Sequence, residues 1–183
     1  MNIITGKFKG RKLISLETEK TRPTLARVKE SVFNIIADKI EGKTILDLFA
    51  GSGALGIECL SRGAKTVYFN DANPESKRII EKNLKGNLTG AEILNLDYVD
   101  ALMAIKNKLD LVFLDPPYAS DFGEKALYIL VNKNKLNNGA TIVFEHSAKN
   151  CLQNLPKGCI INKMKSYGEI AVSFISFEVG NGR

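Results

Sequence analysis

The sequence predicts an α/β fold: one doubly wound, mostly parallel sheet that ends in an antiparallel hairpin. Three observations predict it. Five short apolar runs alternate with helical stretches from residue 44 onward, a G-x-G-x-x-G loop follows the first run, and two further runs joined by a tight turn close the chain. The 183 residues are 44% hydrophobic and 25% charged with five prolines, which is the size and composition of one globular unit.

The elements follow in order. Leu25, Val28, Val32, Ile35, Ile36 and Ile40 recur at helical spacing, so a helix is expected over 24–40, opened by Pro23. Strands are expected at 44–49, 66–70, 92–96, 109–114 and 140–145, each apolar enough to be covered on both faces. Asn73 is placed to cap a helix that begins at Pro74 and ends at Gly86. The closing pair is expected at 159–165 and 170–177, around the turn Ser166-Tyr167-Gly168-Glu169. There is no repeat, low-complexity run or linker; residues 1–40 are read as a basic arm and helix, and 41–183 as the main domain.

Charge is unevenly placed. Of the 26 Lys and Arg and 20 Asp and Glu, residues 1–30 hold eight bases against three acids, so nearly all of the net +6 lies in that arm. A polyanionic partner is the expected reading, and a solvated basic tail is the bland one. One histidine, His146, leaves no material for a histidine-rich metal site or a paired-histidine mechanism. Cys59, Cys151 and Cys159 lack the short spacing of a zinc site and are odd in number, which fits a reducing, cytoplasmic setting. No run is long and apolar enough to suggest a membrane span or a signal peptide, so no membrane partner and no metal are expected.

Gly51, Gly53 and Gly56 stand where a strand becomes a helix, a context that turns a weak motif into a candidate nucleotide site. Asp71 ends the next strand, twenty positions on, where an acid can accept both ribose hydroxyls. Asp47 decides between ligands, because a carboxylate inside the strand would repel a pyrophosphate but favours the ammonium and sulfonium of S-adenosylmethionine. Asp97, past the third strand, is either an acceptor for an adenine amine or a simple helix cap. The expected cofactor cradle is therefore Asp47, Phe49, Ala50, Gly51, Ser52, Gly53, Asp71 and Asp97.

The fourth strand runs into Asp115, Pro116, Pro117 and Tyr118, two prolines fixing an acid and an aromatic ring beside the glycine loop. That set suits methylation of a nucleobase amine, whose lone pair is delocalised into the ring. A carboxylate and proline-loop carbonyls accept its N–H bonds and orient the lone pair, while Tyr118 stacks on an extruded base. The proton can leave after transfer, so no histidine base is required. Carbon-5 methylation of a pyrimidine would need a cysteine nucleophile, and none lies near this loop. Cys59 is most simply a small core residue, and His146 a hydrogen-bonded residue at a strand end.

The stretches at 6–13, 22–34, 47–64 and 114–118, with the Tyr167-Gly168 turn, resemble the bacterial 16S ribosomal RNA guanine-N2 methyltransferases of the guanine-966 type over nearly the whole chain. The resemblance implies a Rossmann-like methyltransferase domain, S-adenosylmethionine as cofactor and 16S rRNA as substrate, in a partly or fully assembled small subunit. It places Asp115 and Tyr118 at the target base and the acids around the cofactor. Asp71 stands where the family more often has Glu, and Cys59 where alanine is usual. Lys7, Phe8, Lys9, Arg11 and Lys12 then read as an RNA-contacting segment with an interleaved ring. Arg22, Thr24 and Arg27 complete that set, with Arg22 and Thr24 able instead to face the pocket. A monomer is expected. A DNA adenine-N6 methyltransferase, another RNA guanine-N2 enzyme and a non-catalytic RNA-binding module remain as alternatives at this point.

Overall fold

The computed structural model describes residues 1–16, 23–117, 120–149, 152 and 154–180, the first three of helix α1 by their backbone alone. The elements are α1 (Pro23–Ile35), β1 (Thr44–Asp47), α2 (Ala54–Ser61), β2 (Thr66–Asn70), α3 (Pro74–Leu84), β3 (Ala91–Leu94), α4 (Tyr98–Ala104), β4 (Leu109–Leu114), α5 (Phe122–Asn132), β5 (Leu136–Ser147), β6 (Cys159–Tyr167) and β7 (Ile170–Phe177). One seven-stranded sheet runs β3-β2-β1-β4-β5-β7-β6. Strands β1 to β5 are parallel, and β7 lies antiparallel between β5 and β6. The order reverses between β1 and β4, which opens a crevice at their carboxyl ends.

Apolar side chains divide cleanly between the two faces. Ile45, Phe69, Phe113 and Val143 pack with α1, α2 and the first sixteen residues, whereas Leu46, Leu114 and Phe144 pack with α4 and α5. Alternation along each strand therefore feeds two cores at once, which is why the strands read as continuous apolar runs.

Several expected boundaries move. The helix expected over 24–40 leaves its spiral at Ile36 and finishes as a 3-10 turn over Ala37–Lys39. That turn leaves Asp38 and Lys39 exposed while Ile36 and Ile40 both stay in the core. β5 is twice its expected length, reaching back to Leu136 through a register shift against β4. Asn137 holds that extension by donating to Asp110 Oδ1 at 2.9 Å, and Gly139 takes φ +78°. β1 stops two residues early because Leu48 and Ala50 turn to bond with Phe113 and Asn70. Asn73 caps α3 as expected, its side chain accepting from Glu75 N at 3.0 Å. The closing turn shrinks to Gly168-Glu169, with Gly168 at φ +70° where a side chain would be strained.

The first sixteen residues are folded onto the domain. Residues 1–13 make a small antiparallel loop, with Ile3 N donating to Arg11 O and Leu13 N to Met1 O. Gly6, at φ +86°, lies so close to α2 that a Cβ would fall 1.9 Å from Ser61 O. Ser61 receives the adjoining backbone, its carbonyl accepting Lys7 N and its Oγ accepting Phe8 N.

Beneath that loop, Glu58 is completely buried in the middle of α2. Its carboxylate accepts Ile4 N at 2.8 Å, Thr5 N at 3.0 Å and Arg62 Nε at 2.9 Å, and pairs with Lys29 Nζ of α1 at 3.1 Å. Lys29, 3% exposed, also donates to Asn2 O. Burial pulls the Lys29 ammonium below its ordinary 10.5 against the attraction of Glu58. Burial works to raise the Glu58 carboxyl, yet the Ile4 N–H and the Lys29 charge more than offset it, leaving the group below its ordinary 4.5.

The sign of the pH dependence follows. The unfolded chain protonates Glu58 near pH 4.5 and the folded chain only at lower pH, so its stabilisation is complete above 4.5 and is lost as pH falls through the folded value. Glu58→Gln should lower stability by about 3 kcal/mol at pH 7, because it leaves Lys29 buried without its partner charge. Urea titrations from pH 7 to pH 3 should show that gap shrinking once the pH drops below 4.5; a constant gap would refute the ionic role.

Candidate active site

The site is assembled where β1, β4 and β5 end. Asp47 at the end of β1 and Phe49, Ala50 and Ser52 of the loop after it line one cavity of about 170 Å³ with Phe113 of β4, Asp115 just past β4 and Glu145 of β5; Met1, Ser15 and Lys29 line it too. Asp47, 2% exposed, accepts from Gly56 N at 3.0 Å. It thus secures the first turn of α2 from the preceding strand while adding a carboxylate to the cavity wall.

The glycine loop is shaped by two separate demands. Gly51 and Gly53 take φ +53° and +78°. Gly56 has another reason, since a Cβ there would stand 2.2 Å from the Phe69 ring of β2. The small residue lets α2 lie directly on the sheet.

Two side chains that end or follow β2 then tie the loops together. Asn70, 1% exposed, donates from Nδ2 to Leu48 O at 3.2 Å and Leu96 O at 3.1 Å, and accepts from Leu96 N at 3.2 Å. Asp71 accepts Gly51 N on one oxygen and Asn73 N on the other, each at 2.8 Å. The loops after β1, β2 and β3 are thereby locked to one another. Sequence reasoning singled out Asp71 but missed Asn70, whose only signal is a polar residue at the end of an apolar strand.

Asp97 caps α4, its Oδ1 accepting from Val99 N at 2.9 Å. An aromatic row follows, of which sequence reasoning named only Phe49: Phe49 to Tyr98 at 6.0 Å, and Tyr98 stacked on Phe122 at 5.1 Å. Asp71 and Asp97 line no part of the cavity around Asp47; they lie on the β2 and β3 side of the glycine loop.

After β4 the chain exposes Asp115 and Pro117 and half-buries Pro116. Gly123, in the first turn of α5, makes room for that loop, since a Cβ there would lie 3.0 Å from Pro116 and 2.4 Å from Phe144. Pro117 O accepts from both the backbone N and the hydroxyl of Ser120, so this carbonyl is committed to the turn. Tyr118 lies outside the described residues, as does Arg22, and of Thr24 only the backbone is described.

The basic arm divides. Lys7, Lys9 and Lys12 are exposed, as is Arg27 of α1. Phe8, read as an interleaved stacking ring, is 9% exposed and packed in the core, with the Arg11 guanidinium 4.4 Å above it. The reason is local: Gly6 and Ser61 draw the backbone onto α2, and the ring follows it inward.

Cys59 is fully buried, and burial followed by the Asp47 and Glu58 charges pushes its thiol well up, so it stays protonated in the core. His146 bonds through Nδ1 to Ser147 O and through Nε2 to Ser173 Oγ, each at 2.9 Å. Because a carbonyl only accepts, Nδ1 carries the hydrogen and the ring is held in place. Tyr167 and Lys165 of β6 both reach Ser31 Oγ of α1, at 2.6 and 3.2 Å, which joins the closing hairpin to the arm side. Among the described residues, no three His, Cys, Asp or Glu are grouped to hold a metal, and no helix is long and apolar enough to cross a membrane.

The family model described as Conserved hypothetical protein 95 matches residues 1–176. The chain is 41% identical over 150 residues to ribosomal RNA small subunit methyltransferase D of Haemophilus influenzae, covering 79% of this chain and 78% of that one. It is 35% identical to the putative rRNA methyltransferase YlbH of Bacillus subtilis, over 94% and 97% of the two chains. Its fold matches the putative methyltransferase yhhF of Escherichia coli with a TM-score of 0.88 at 31% identity, over 97% of this chain and 98% of that one.

Asn70 is the residue on which the loop geometry turns. Asn70→Ala should cost about 2 kcal/mol by leaving buried backbone groups without partners. Asn70→Asp, which sets a carboxylate against two carbonyls, should cost at least as much in urea or thermal unfolding. If Asp were tolerated better than Ala, the clamp would be refuted.

Proposed function

Because the chain belongs to the Conserved hypothetical protein 95 family, whose curated relatives include small-subunit ribosomal RNA methyltransferases, we propose that it methylates the exocyclic N2 amine of a guanine in 16S rRNA, of the guanine-966 type. The observation that carries the proposal is the arrival of Asp115 and Asp47 at one cavity, from strands on either side of the switch point. The substrate is RNA within a partly or fully assembled small subunit, and the enzyme works in the cytoplasm as a monomer.

The residues fit S-adenosylmethionine. The positive-φ glycine loop allows close backbone approach, and Asp47 sets a carboxylate in the cavity to face the cation. When bound, that cofactor supplies an electrophilic methyl group on a sulfonium. Asp71, just past β2, receives the ribose hydroxyls, and the rings of Phe49, Tyr98 and Phe122 offer aromatic surface for a purine.

Asp115 accepts one N–H of the target amine. Since both acceptor positions of Pro117 O are engaged by Ser120, the second N–H falls to the Pro116 carbonyl. Drawing on both hydrogens pulls the nitrogen toward a tetrahedral shape, turns its lone pair toward the methyl and stabilises the positive charge that develops there. The surplus proton leaves the methylated nitrogen to Asp115 or to water. Tyr118 stacks on the base and keeps it out of its helix.

Residues 1–40 act as the RNA-contacting extension of a methyltransferase domain spanning 41–183. Lys7, Lys9, Arg11, Lys12 and Arg27 meet phosphates, and Arg22 and Thr24 complete that RNA-contacting set. Phe8 serves as the hydrophobic anchor beneath those charges, with its ring under Arg11.

Two outcomes test this. Labelled S-adenosylmethionine with unmodified 16S rRNA or small subunits should give N2-methylguanine, and Asp115→Ala should lower kcat by at least about 100-fold while cofactor affinity stays within a few-fold. N6-methyladenine as the only product, or full turnover by Asp115→Ala, would overturn the reading. In filter binding, changing Lys7, Lys9 and Lys12 together to Ala should flatten the salt dependence of RNA affinity by about three in logarithmic slope, and an unchanged slope would exclude the arm.

A further inference from the structure

We propose that Glu145 selects guanine at the target position by accepting the N1–H of the base. The inference rests on the guanine-N2 reading and adds a residue to it.

The register places the group. Leu114, the last residue of β4, pairs with Phe144 of β5, so Asp115, just past the end of β4, comes out beside Glu145 of β5. Phe113 and Val143 belong to the core on the arm side, while Leu114 and Phe144 belong to the other. Alternation therefore returns Asp115 and Glu145 to the arm side, and both line the cavity that holds Asp47. Across β5, Glu145 pairs with Val172 of β7, which lines the same cavity and gives this carboxylate an apolar flank.

The chemistry of the base supplies the rest. Guanine presents two neighbouring kinds of donor on one edge, the N2 amine and N1–H, whereas adenine presents an N1 acceptor there. Two carboxylates side by side match the first edge, and a carboxylate opposite a bare ring nitrogen is repelled. With Asp115 assigned to the amine, Glu145 falls to N1–H. It makes no contact with the transferred methyl and so acts as a specificity-determining residue. Discrimination of this kind is strong because the wrong base leaves a partly buried acceptor facing another acceptor.

The test uses small subunits carrying guanine or 2-aminopurine at the modified position, since 2-aminopurine keeps the N2 amine but has no hydrogen on N1. Wild type should favour guanine. Glu145→Gln, whose amide N–H can donate to the bare nitrogen, should cut the guanine to 2-aminopurine ratio in kcat/KM by about 10- to 100-fold, with cofactor affinity within two-fold of wild type. Glu145→Asp, which keeps the charge, should hold a ratio above that of Glu145→Ala, and this pair serves as the test should Gln fail to fold. A ratio in Gln, or in Asp if Gln does not fold, that matches an uncharged Ala variant and wild type alike overturns the proposal, as does a Gln variant that loses cofactor binding. Wild type that makes no N2-methylguanine refutes the underlying reading first, and that result is visible before any variant is made.

Discussion

Glu58 is the residue through which the arm, α1 and the cofactor side of the molecule are joined. Its carboxylate takes two backbone N–H groups from residues 4 and 5 and two cations, Lys29 from α1 and Arg62 from the end of its own helix. Burying an anion is costly, and a single ion pair seldom repays it. Here charged partners and backbone donors act together, the arrangement under which a buried carboxylate remains ionised. Lys29 and Arg62 also lie over the Phe33 ring, at 5.9 and 4.8 Å, so the cations are held by an aromatic face as well.

The helix that carries Glu58 works at both ends. Its first turn is held by Asp47 through Gly56 and opens at the glycine loop, while its last turn receives the arm through Ser61. α2 is thus a short rigid member between the surface proposed to meet RNA and the cavity proposed to hold cofactor. On the far side of the glycine loop, Asn70 and Asp71 fasten the same backbone to the ends of β2 and β3. Irregular backbone at a strand end carries polar groups that no ladder satisfies, and these two side chains supply partners for five of them.

The fold was legible because parallel strands covered on both faces leave a simple trace: β2, β4 and β7 have the bounds that their apolar runs indicated. What was not legible depends on tertiary partners. β5 continues through Asn137, Asn138 and Gly139, residues that read as loop, because Asp110 on β4 and the Val179 backbone bond to the two asparagines. Phe8 among lysines reads as an exposed ring until Gly6 and Ser61 are seen to turn it inward. At the site, Asp47, the glycine loop and Asp115 carry their spacing in the sequence. Glu145 does not, because one acid after an apolar run means nothing until strand register sets it beside Asp115. Asn70, Tyr98 and Phe122 are similar: their importance lies in what faces them.

The burial of Phe8 changes how recognition is divided. With its ring in the core, the described part of the arm offers lysine charges and one arginine stacked on that ring, none of which distinguishes one base from another. On the proposed reading, phosphate contacts fix position and orientation, and the choice of base falls to the cavity. There the carboxylates at the ends of β1, β4 and β5 differ in exposure: Asp47 is buried beside the glycine loop, Glu145 is half-buried and Asp115 is exposed. On the proposed reading, the cavity can select its nucleotide in this way only if the surrounding RNA presents a single accessible guanine. Shape would then choose the site, and the acids at the strand ends would verify the base.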